Sequence, residues 1–307
     1  MNFQTMEYFC AIAEQGSFTR AAAALHVTQQ TLSAHIAGIE RELGCKLIVR
    51  SNPLRLTHEG QTFLVHAKRL NRELDDMRRE VAGPDNLQAG TLRVGISFTR
   101  GRTVLPPVIE RFCEQYPNVC VDLREDTNEG ILRGLLARQV DVAFGVLPAS
   151  SARIESHPLF RERMVLLATT ELLERHGVDP QALAEPLGRG DVSPLSGCPF
   201  VLSPPEDITG RLGLELIARA GFRPKVRAYS RNMATLLSLA LRGVGACVCP
   251  KDLLDDTKTP EQARGLTVFD LGQDATYAID YALPADSWRW PVAERFVELA
   301  LEHVASM

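Results

Sequence analysis

Hydrophobic positions recur first at helical spacing and later at mixed spacing, and this change of texture divides the chain. Leu32, Ile36, Ile39 and Leu43 fall at intervals of 4, 3 and 4, one apolar stripe on a helix that opens at Thr28. Thr28 suits an N-cap because its hydroxyl accepts from an otherwise orphan backbone N–H. Upstream, a shorter helical pattern carries Ala21 to Ala24 and Leu25, small enough for close approach. Phe3, Met6, Phe9 and Ile12 supply a first helix beneath the pair. Opposite the stripe lie Gln29, Gln30, Thr31, Ser33 and His35, clustered in the first two turns. A helix that buries one face and offers such groups near its N-terminus suits a DNA major groove, with these residues facing bases and Thr28 beside them in the DNA-binding set. On periodicity alone, a helical hairpin in an ordinary core is the alternative. Downstream, GCKLIVRSNPLRLTHEG predicts two short strands around Ser51-Asn52-Pro53. Lys46, Arg50 and Arg55 stand there with no acid between Gly44 and His58, so this wing would set Arg50 and Arg55 on phosphates.

A long helical pattern follows, from His58 to about Val81. Phe63, Ala67, Leu70, Leu74, Met77 and Val81 are spaced 4, 3, 4, 3 and 4, a narrow stripe with charged flanks. Such a stripe suits a coiled-coil seam, so Phe63, Ala67, Leu70, Leu74 and Met77 are expected to pair two chains. A surface helix packed on its own domain is the alternative. A dimer would present two recognition helices to a two-fold DNA operator. Val81-Ala82-Gly83-Pro84-Asp85-Asn86 then reads as a hinge and a domain boundary.

From Thr91, strands alternate with helices. Strands are predicted at Leu92–Ile96, Val119–Leu123, Val140–Val146, Met164–Ala168, Phe200–Leu202, Val226–Tyr229, Gly245–Val248, Leu266–Phe269 and Tyr277–Leu283. Between many of them helices have recognisable starts at Pro106-Pro107, Thr127, Asp207, Asn232 and Ser287, and two close at Gly221 and Gly243. That alternation implies parallel sheets covered on both faces. Ligands of such sheets bind beyond the carboxyl ends of strands, at helix N-termini. Ser97 to Arg100, Val146, Ser203 to Thr209 and Ser230 to Asn232 occupy such places. Their hydroxyls and backbone N–H groups could hold a carboxylate, and Arg100 could add a charge-assisted bond. The alternative is that Ser97, Thr99 and Ser203 cap helices or satisfy loops, and that Arg100 lies on the surface.

Composition narrows the class. The 307 residues carry a net charge of −4, 45% hydrophobic and 23% charged residues, as in a soluble globular protein. DNA affinity must then come from local placement and doubling, because residues 1–60 also balance in charge. No secretory signal or apolar run of spanning length is evident, which leads us to expect a cytoplasmic protein without a membrane partner. Seven cysteines, an odd number, fit free thiols in a reducing compartment. Cys247-x-Cys249 reads as a buried strand, not as a redox or zinc pair. There is no Gly-x-Ser-x-Gly, His-Glu-x-x-His or Gly-x-x-x-x-Gly-Lys, and the seven histidines lack ligand spacing, so no enzyme, metal or cofactor is expected. A solute-binding protein of two-lobed fold would need an export signal and no helical head. A cysteine redox sensor would need a reactive, exposed thiol with a resolving partner, and Cys198 precedes its strand with no second cysteine nearby.

Gly16-Ser17-Phe18-Thr19-Arg20-Ala21-Ala22, Leu25-His26-Val27-Thr28-Gln29, Leu32-Ser33, Ile39-Glu40, Leu43-Gly44, Leu56-Thr57 and Glu59-Gly60 together resemble the N-terminal winged helix-turn-helix of LysR-type transcriptional regulators over about sixty residues. Gln30, Ala34 and Ile48 depart from that family's usual Pro, Arg and Phe, so the operator cannot be carried over. Gly95-x-Ser97, Leu105-Pro106-Pro107, Tyr116-Pro117, Asp141-Val142-Ala143, and Gly243-Val244-Gly245 with Pro250 are similar to the family's effector domain. The fold class implied is mixed: an all-α winged helix-turn-helix with a long linker helix, then a two-lobed α/β domain like periplasmic binding proteins. The division implied is a DNA-binding domain at 1–58, a dimerising linker and hinge at 59–87, and an effector domain at 88–307. Within the last, subdomain I spans about 91–161 and 268–307, and subdomain II about 162–267. The resemblance implies a small-molecule effector, an organic acid among its candidates, in the cleft near Ser97, Thr99, Arg100, Val146, Ser203 and Thr209. It implies homodimers or homotetramers, with RNA polymerase as a further candidate partner. Gly188 to Gly197 looks longer than the family's usual connection and is expected to be a surface loop.

Overall fold

The computed structural model describes residues 1–49, 51, 53–82, 89–257, 265–273, 275–285 and 288–306. Three helices open the chain: α1 (Phe3–Gln15), α2 (Phe18–Ala24) and α3 (Gln29–Leu43). Each begins where a side chain takes an orphan N–H, from Asn2, Ser17 and Thr28 respectively. Gly16 and Gly44 end α1 and α3 in the left-handed region, at φ of 59° and 70°. Three of the four residues of the apolar stripe predicted on α3 pack as expected, Leu32, Ile36 and Ile39 being buried against Phe9, Ile12, Ala21 and Leu47, while Leu43 in the last turn is exposed. The wing is a short antiparallel pair, β1 (Ile48–Val49) and β2 (Arg55–Leu56).

Helix α4 (His58–Ala82) matches the predicted linker. Its first turns belong to the head, because a Cβ at Gly60 would come within 2.0 Å of the Leu47 carbonyl oxygen. The rings of Phe63 and Phe9 meet edge to face at 4.9 Å, and Ala67 is buried. Ala67 is thus closed off within its own chain and cannot present a side chain to a partner as expected, whereas Phe63 packs on α1 but stays half-buried. Leu70 and Leu74 remain half-buried, and Met77 and Val81 are exposed. The predicted hinge residues 83–86 and the 87/88 boundary lie outside the described residues.

The second domain comprises β3 (Gly90–Ser97), α5 (Phe98–Gly101), α6 (Leu105–Gln115), β4 (Val119–Asp126), α7 (Asn128–Leu136) and β5 (Val142–Gly145). Then come β6 (Ile154–Thr169), α8 (Thr170–Arg175), α9 (Ala184–Gly188), β7 (Pro199–Leu202), α10 (Ile208–Arg219) and β8 (Lys225–Tyr229). The chain closes with α11 (Met233–Ala240), β9 (Cys247–Pro250), α12 (Lys251–Thr257), β10 (Leu266–Asp270), β11 (Thr276–Pro284) and α13 (Pro291–Ala305).

Strand β6 joins two lobes. Residues 154–163 pair with β11 in lobe I, and residues 164–169 pair with β9 and β10 in lobe II. The sheets are mixed, not wholly parallel as expected. β3 runs parallel to β4 and β5, while β11 and β6 run antiparallel to their neighbours because the chain crosses between lobes twice. A subdomain boundary at 267/268 would cut β10, whose whole length pairs with lobe II; the second crossing lies between residues 270 and 276. The first, drawn at 161/162, falls inside β6 itself.

Lobe I buries Val94, Phe112, Phe144 and Phe296 in one core. Lobe II buries Leu166, Phe200 and Leu216 on one side of its strands and Val201, Leu237 and Cys247 on the other. The 188–197 stretch is not the surface loop expected, since Val192 and Leu195 are buried in the lobe II core. The last helix starts at Pro291, and Ser287 lies outside the described residues.

Candidate nucleic-acid interface and interlobe cleft

On α3 the helical period sets the outward face. Leu32, Ile36 and Ile39 point inward, so Gln30, Ala34, Ala37 and Arg41 point away and all four are exposed. Thr28 and Gln29 are exposed at the start of the helix, and Thr31 and Ser33 flank the face half-buried. The Thr28 hydroxyl accepts from the Thr31 N–H at 3.1 Å, as the cap predicts. Gln29 is also tied to α2, its amide oxygen accepting from Thr19 at 3.4 Å.

His35 is not on this face. Its Nδ1 lies 2.9 Å from the Thr5 hydroxyl, and its ring stands edge-on to Tyr8 at 4.9 Å. The expected base contact is therefore corrected to a link between α3 and α1. Position 35 falls one turn side from the buried stripe, which a simple polar-versus-apolar division of residues does not register.

The wing is fastened to α3 by Glu40, a buried acid that the sequence reading did not single out. Its carboxylate accepts from Lys46 Nζ at 2.6 Å and from the N–H groups of Leu47 at 3.0 Å and Ile48 at 3.3 Å. Burial pushes its carboxyl up, but the bonds from Lys46 and the two N–H groups outweigh this and hold it below its ordinary value. Arg55 is exposed on β2, and Arg50 lies outside the described residues.

Between the lobes, a cleft of about 520 Å³ gathers Ser97, Arg100, Val146, Ser203 and Thr209. Five of the six cleft residues expected from the sequence thus line one space; the side chain of Thr99 lies outside the described residues. Arg100 is only 3% exposed, so it is not a surface arginine; both terminal nitrogens are bonded, while its buried Nε has no hydrogen-bond partner among the described residues. Its guanidinium donates to Ser97 Oγ at 2.5 Å, to Glu162 Oε2 at 2.8 Å and to the Tyr277 hydroxyl at 2.8 Å. The Tyr277 hydroxyl also donates to Glu162, and the Thr209 hydroxyl bonds Tyr277 from lobe II. Burial, with Glu162 beside it, pushes the Tyr277 hydroxyl far above its ordinary value, so it stays protonated.

Glu162 and Tyr277 were missed because they face each other in register on β6 and β11, 115 residues apart, with no local signal. Ser97 does not cap α5, because its hydroxyl serves Arg100 instead. Thr127 and Asn232 cap their helices as predicted, whereas Asp207 stands at the N-cap of α10 without bonding it. The Asn128 amide oxygen accepts from the Val146 N–H at 3.1 Å, fixing that side of the cleft.

The cysteines offer no activated thiol at Cys198, which is fully buried and whose pKa burial raises. Burial pushes Cys247 up to about 12 and Cys249 well above its ordinary value, in keeping with the buried strand expected there. Among the described residues, no helix is long and apolar enough to cross a membrane.

Residues 3–61 match the sequence family described as bacterial regulatory helix-turn-helix protein, lysR family, and residues 85–305 match LysR substrate binding domain. The uncharacterized HTH-type transcriptional regulator YcgK of Bacillus subtilis (strain 168) is 29% identical over 98% of this chain and 94% of its own length. A full-length OxyR variant of Pseudomonas aeruginosa has a similar fold, with a TM-score of 0.74 at 22% identity over 98% of this chain and 95% of that one. CbnR, solved full-length with its target DNA, gives 0.68 at 23% identity over 99% and 100%.

Proposed function

The chain belongs to the LysR family of bacterial transcriptional regulators, and from that premise we propose that it reads a two-fold DNA site as a homo-oligomer under control of a small molecule held between its lobes. The family is one of regulators, not enzymes. The observation that carries the reading is the free face of α3, where Gln30 opens a row of small residues ending at Arg41, beside a wing bearing Lys46 and Arg55. Such a face lets the helix sit deep in a major groove with the Gln30 amide at base edges, while the wing cations meet phosphates. Gln29, Thr31 and Ser33 supply further contacts at the margins of the groove, and Thr28 keeps the N-terminus of the helix in shape.

The cleft serves as the control point. Arg100 reaches from lobe I onto the strands that join the lobes, so a molecule that draws the lobes together acts on this bonded group. It thereby biases the angle between them, and with it the spacing of paired DNA heads. Leu70, Leu74 and Met77 supply the seam between two chains.

Selection from a pool of genomic fragments, sequenced at low and at near-physiological salt, tests the DNA reading. Recovery of a two-fold sequence that survives the higher salt and changes in Gln30→Ala is the expected result. Binding that disappears with salt and selects no sequence reflects phosphate attraction alone and overturns it.

A further inference from the structure

Two arginines far from the interlobe cleft share an unmet need. Arg72 of the linker helix α4 and Arg93 of β3 come near one another where that helix lies against lobe I. A narrow space at this junction, about 20 Å³, is lined by Arg72 and Asp76 of α4 and by Arg138, Asp141, Arg289 and Trp290 of lobe I. Each of the two guanidiniums has its Nη1 buried without a hydrogen-bond partner, and neither makes an ion pair among the described residues. Buried donors are nearly always bonded, so two of them on adjoining elements, both cationic, mark an open position for an acceptor.

The two charges also act on each other. Burial pulls the Arg72 guanidinium down to about 10, Arg93 and Arg124 push it the same way, and Asp141 and Asp76 oppose them. The neighbouring charges are engaged elsewhere. Arg124 pairs with Asp122 at 2.7 Å, and Arg289 pairs with Glu155. Asp141 is occupied with the backbone of β3: its carboxylate accepts from the Arg93 N–H at 2.8 Å, and its own N–H donates to the Arg93 carbonyl at 2.8 Å. Leu92 and Val94 belong to the lobe I core, so position 93 lies on the opposite face of β3.

We propose that one small inorganic anion, of chloride size, binds between the Arg72 and Arg93 guanidiniums and fastens the linker helix to lobe I. A neutral acceptor would satisfy the two nitrogens and leave two like charges facing each other; an anion answers both needs. The space admits a body about the size of one water, too small for an organic acid. None of the residues lining it lines the interlobe cleft, so this is a second site. Arg72 lies between Leu70 and Leu74, and the anion therefore ties lobe I to the turn of α4 that carries the proposed seam.

Thermal melting of the full chain tests the site, with sodium chloride exchanged for sodium gluconate at constant ionic strength. Chloride is expected to raise the melting temperature saturably, by about 2 °C or more, and bromide to replace it. In Arg72→Met and in Arg93→Met the rise is expected to vanish. Both variants are expected to melt no lower than the parent in gluconate, because each removes a buried charge that nothing answers there. If one variant fails to fold, the other carries the comparison. No response of the parent to chloride, a rise of equal size in both variants, or a response to phosphate without one to chloride overturns the site.

Discussion

Arg100 of lobe I and Glu162 of the crossing strand meet at 2.8 Å with 4% of each side chain exposed. The pair lies where β6 passes from one lobe to the other, and Tyr277 on β11 and Thr209 on α10 complete the group. A charge so deep is tolerated only with its partner in place. Glu162→Ala leaves the Arg100 guanidinium uncompensated and is expected to cost about 3 kcal/mol or more in chemical denaturation. Arg100→Met with Glu162→Leu is expected to cost much less than Glu162→Ala alone. A double variant no more stable than the single one would show that the pair is not a unit.

Glu40 makes the head sensitive to acid. Its folded carboxyl is held below the ordinary value of 4.5, so the folded state binds its proton less readily than the unfolded chain. The stability it contributes is fully present above pH 4.5 and is lost as pH falls through the lower folded value. Melting curves between pH 6 and pH 3 are expected to show a steeper loss in the parent chain than in Glu40→Gln. Equal slopes would remove Glu40 as the group responsible.

His35 and Gln30 lie on the same helix and are expected to behave in opposite ways. His35→Ala removes the bond to Thr5 and the packing on Tyr8, costing about 1 kcal/mol or somewhat more, without changing which DNA sequences are selected. Gln30→Ala is expected to leave melting nearly unchanged and to relax base preference at one position of each half-site, by about 1–3 kcal/mol. A changed sequence preference in His35→Ala would return that residue to the DNA face.

Self-association separates the two halves of the α4 stripe. Leu70→Lys is expected to weaken pairing in sedimentation, and DNA binding with it, while the effector domain stays folded. Ala67→Lys, placed in the head's own core, is expected to unfold the head instead. Unchanged DNA affinity in Leu70→Lys would end the case for a seam there.

Much of the fold is local and was legible as such. Caps at Thr28, Thr127 and Asn232, most of the stripe on α3, the length of α4 and the existence of nine strands, though not the lobe I half of β6 at 154–163, follow from short-range spacing and from single side chains that satisfy their own helix ends. The gathering of Ser97, Arg100, Val146, Ser203 and Thr209 in one cleft was also anticipated, because residues beyond strand ends converge in such sheets.

What each of those residues does was decided elsewhere. Whether Arg100 is free or bonded depends on Glu162 and Tyr277, brought opposite one another by strand register across 115 residues. Whether His35 faces DNA or α1, and whether Phe63 serves a partner chain or Phe9, depends on how helices pack, which periodicity within one helix does not contain. Propensity and pattern act over a few residues and settle which elements form. Burial and pairing act between segments distant along the chain, so the chemistry left available to a ligand or to DNA appears only once those segments have met.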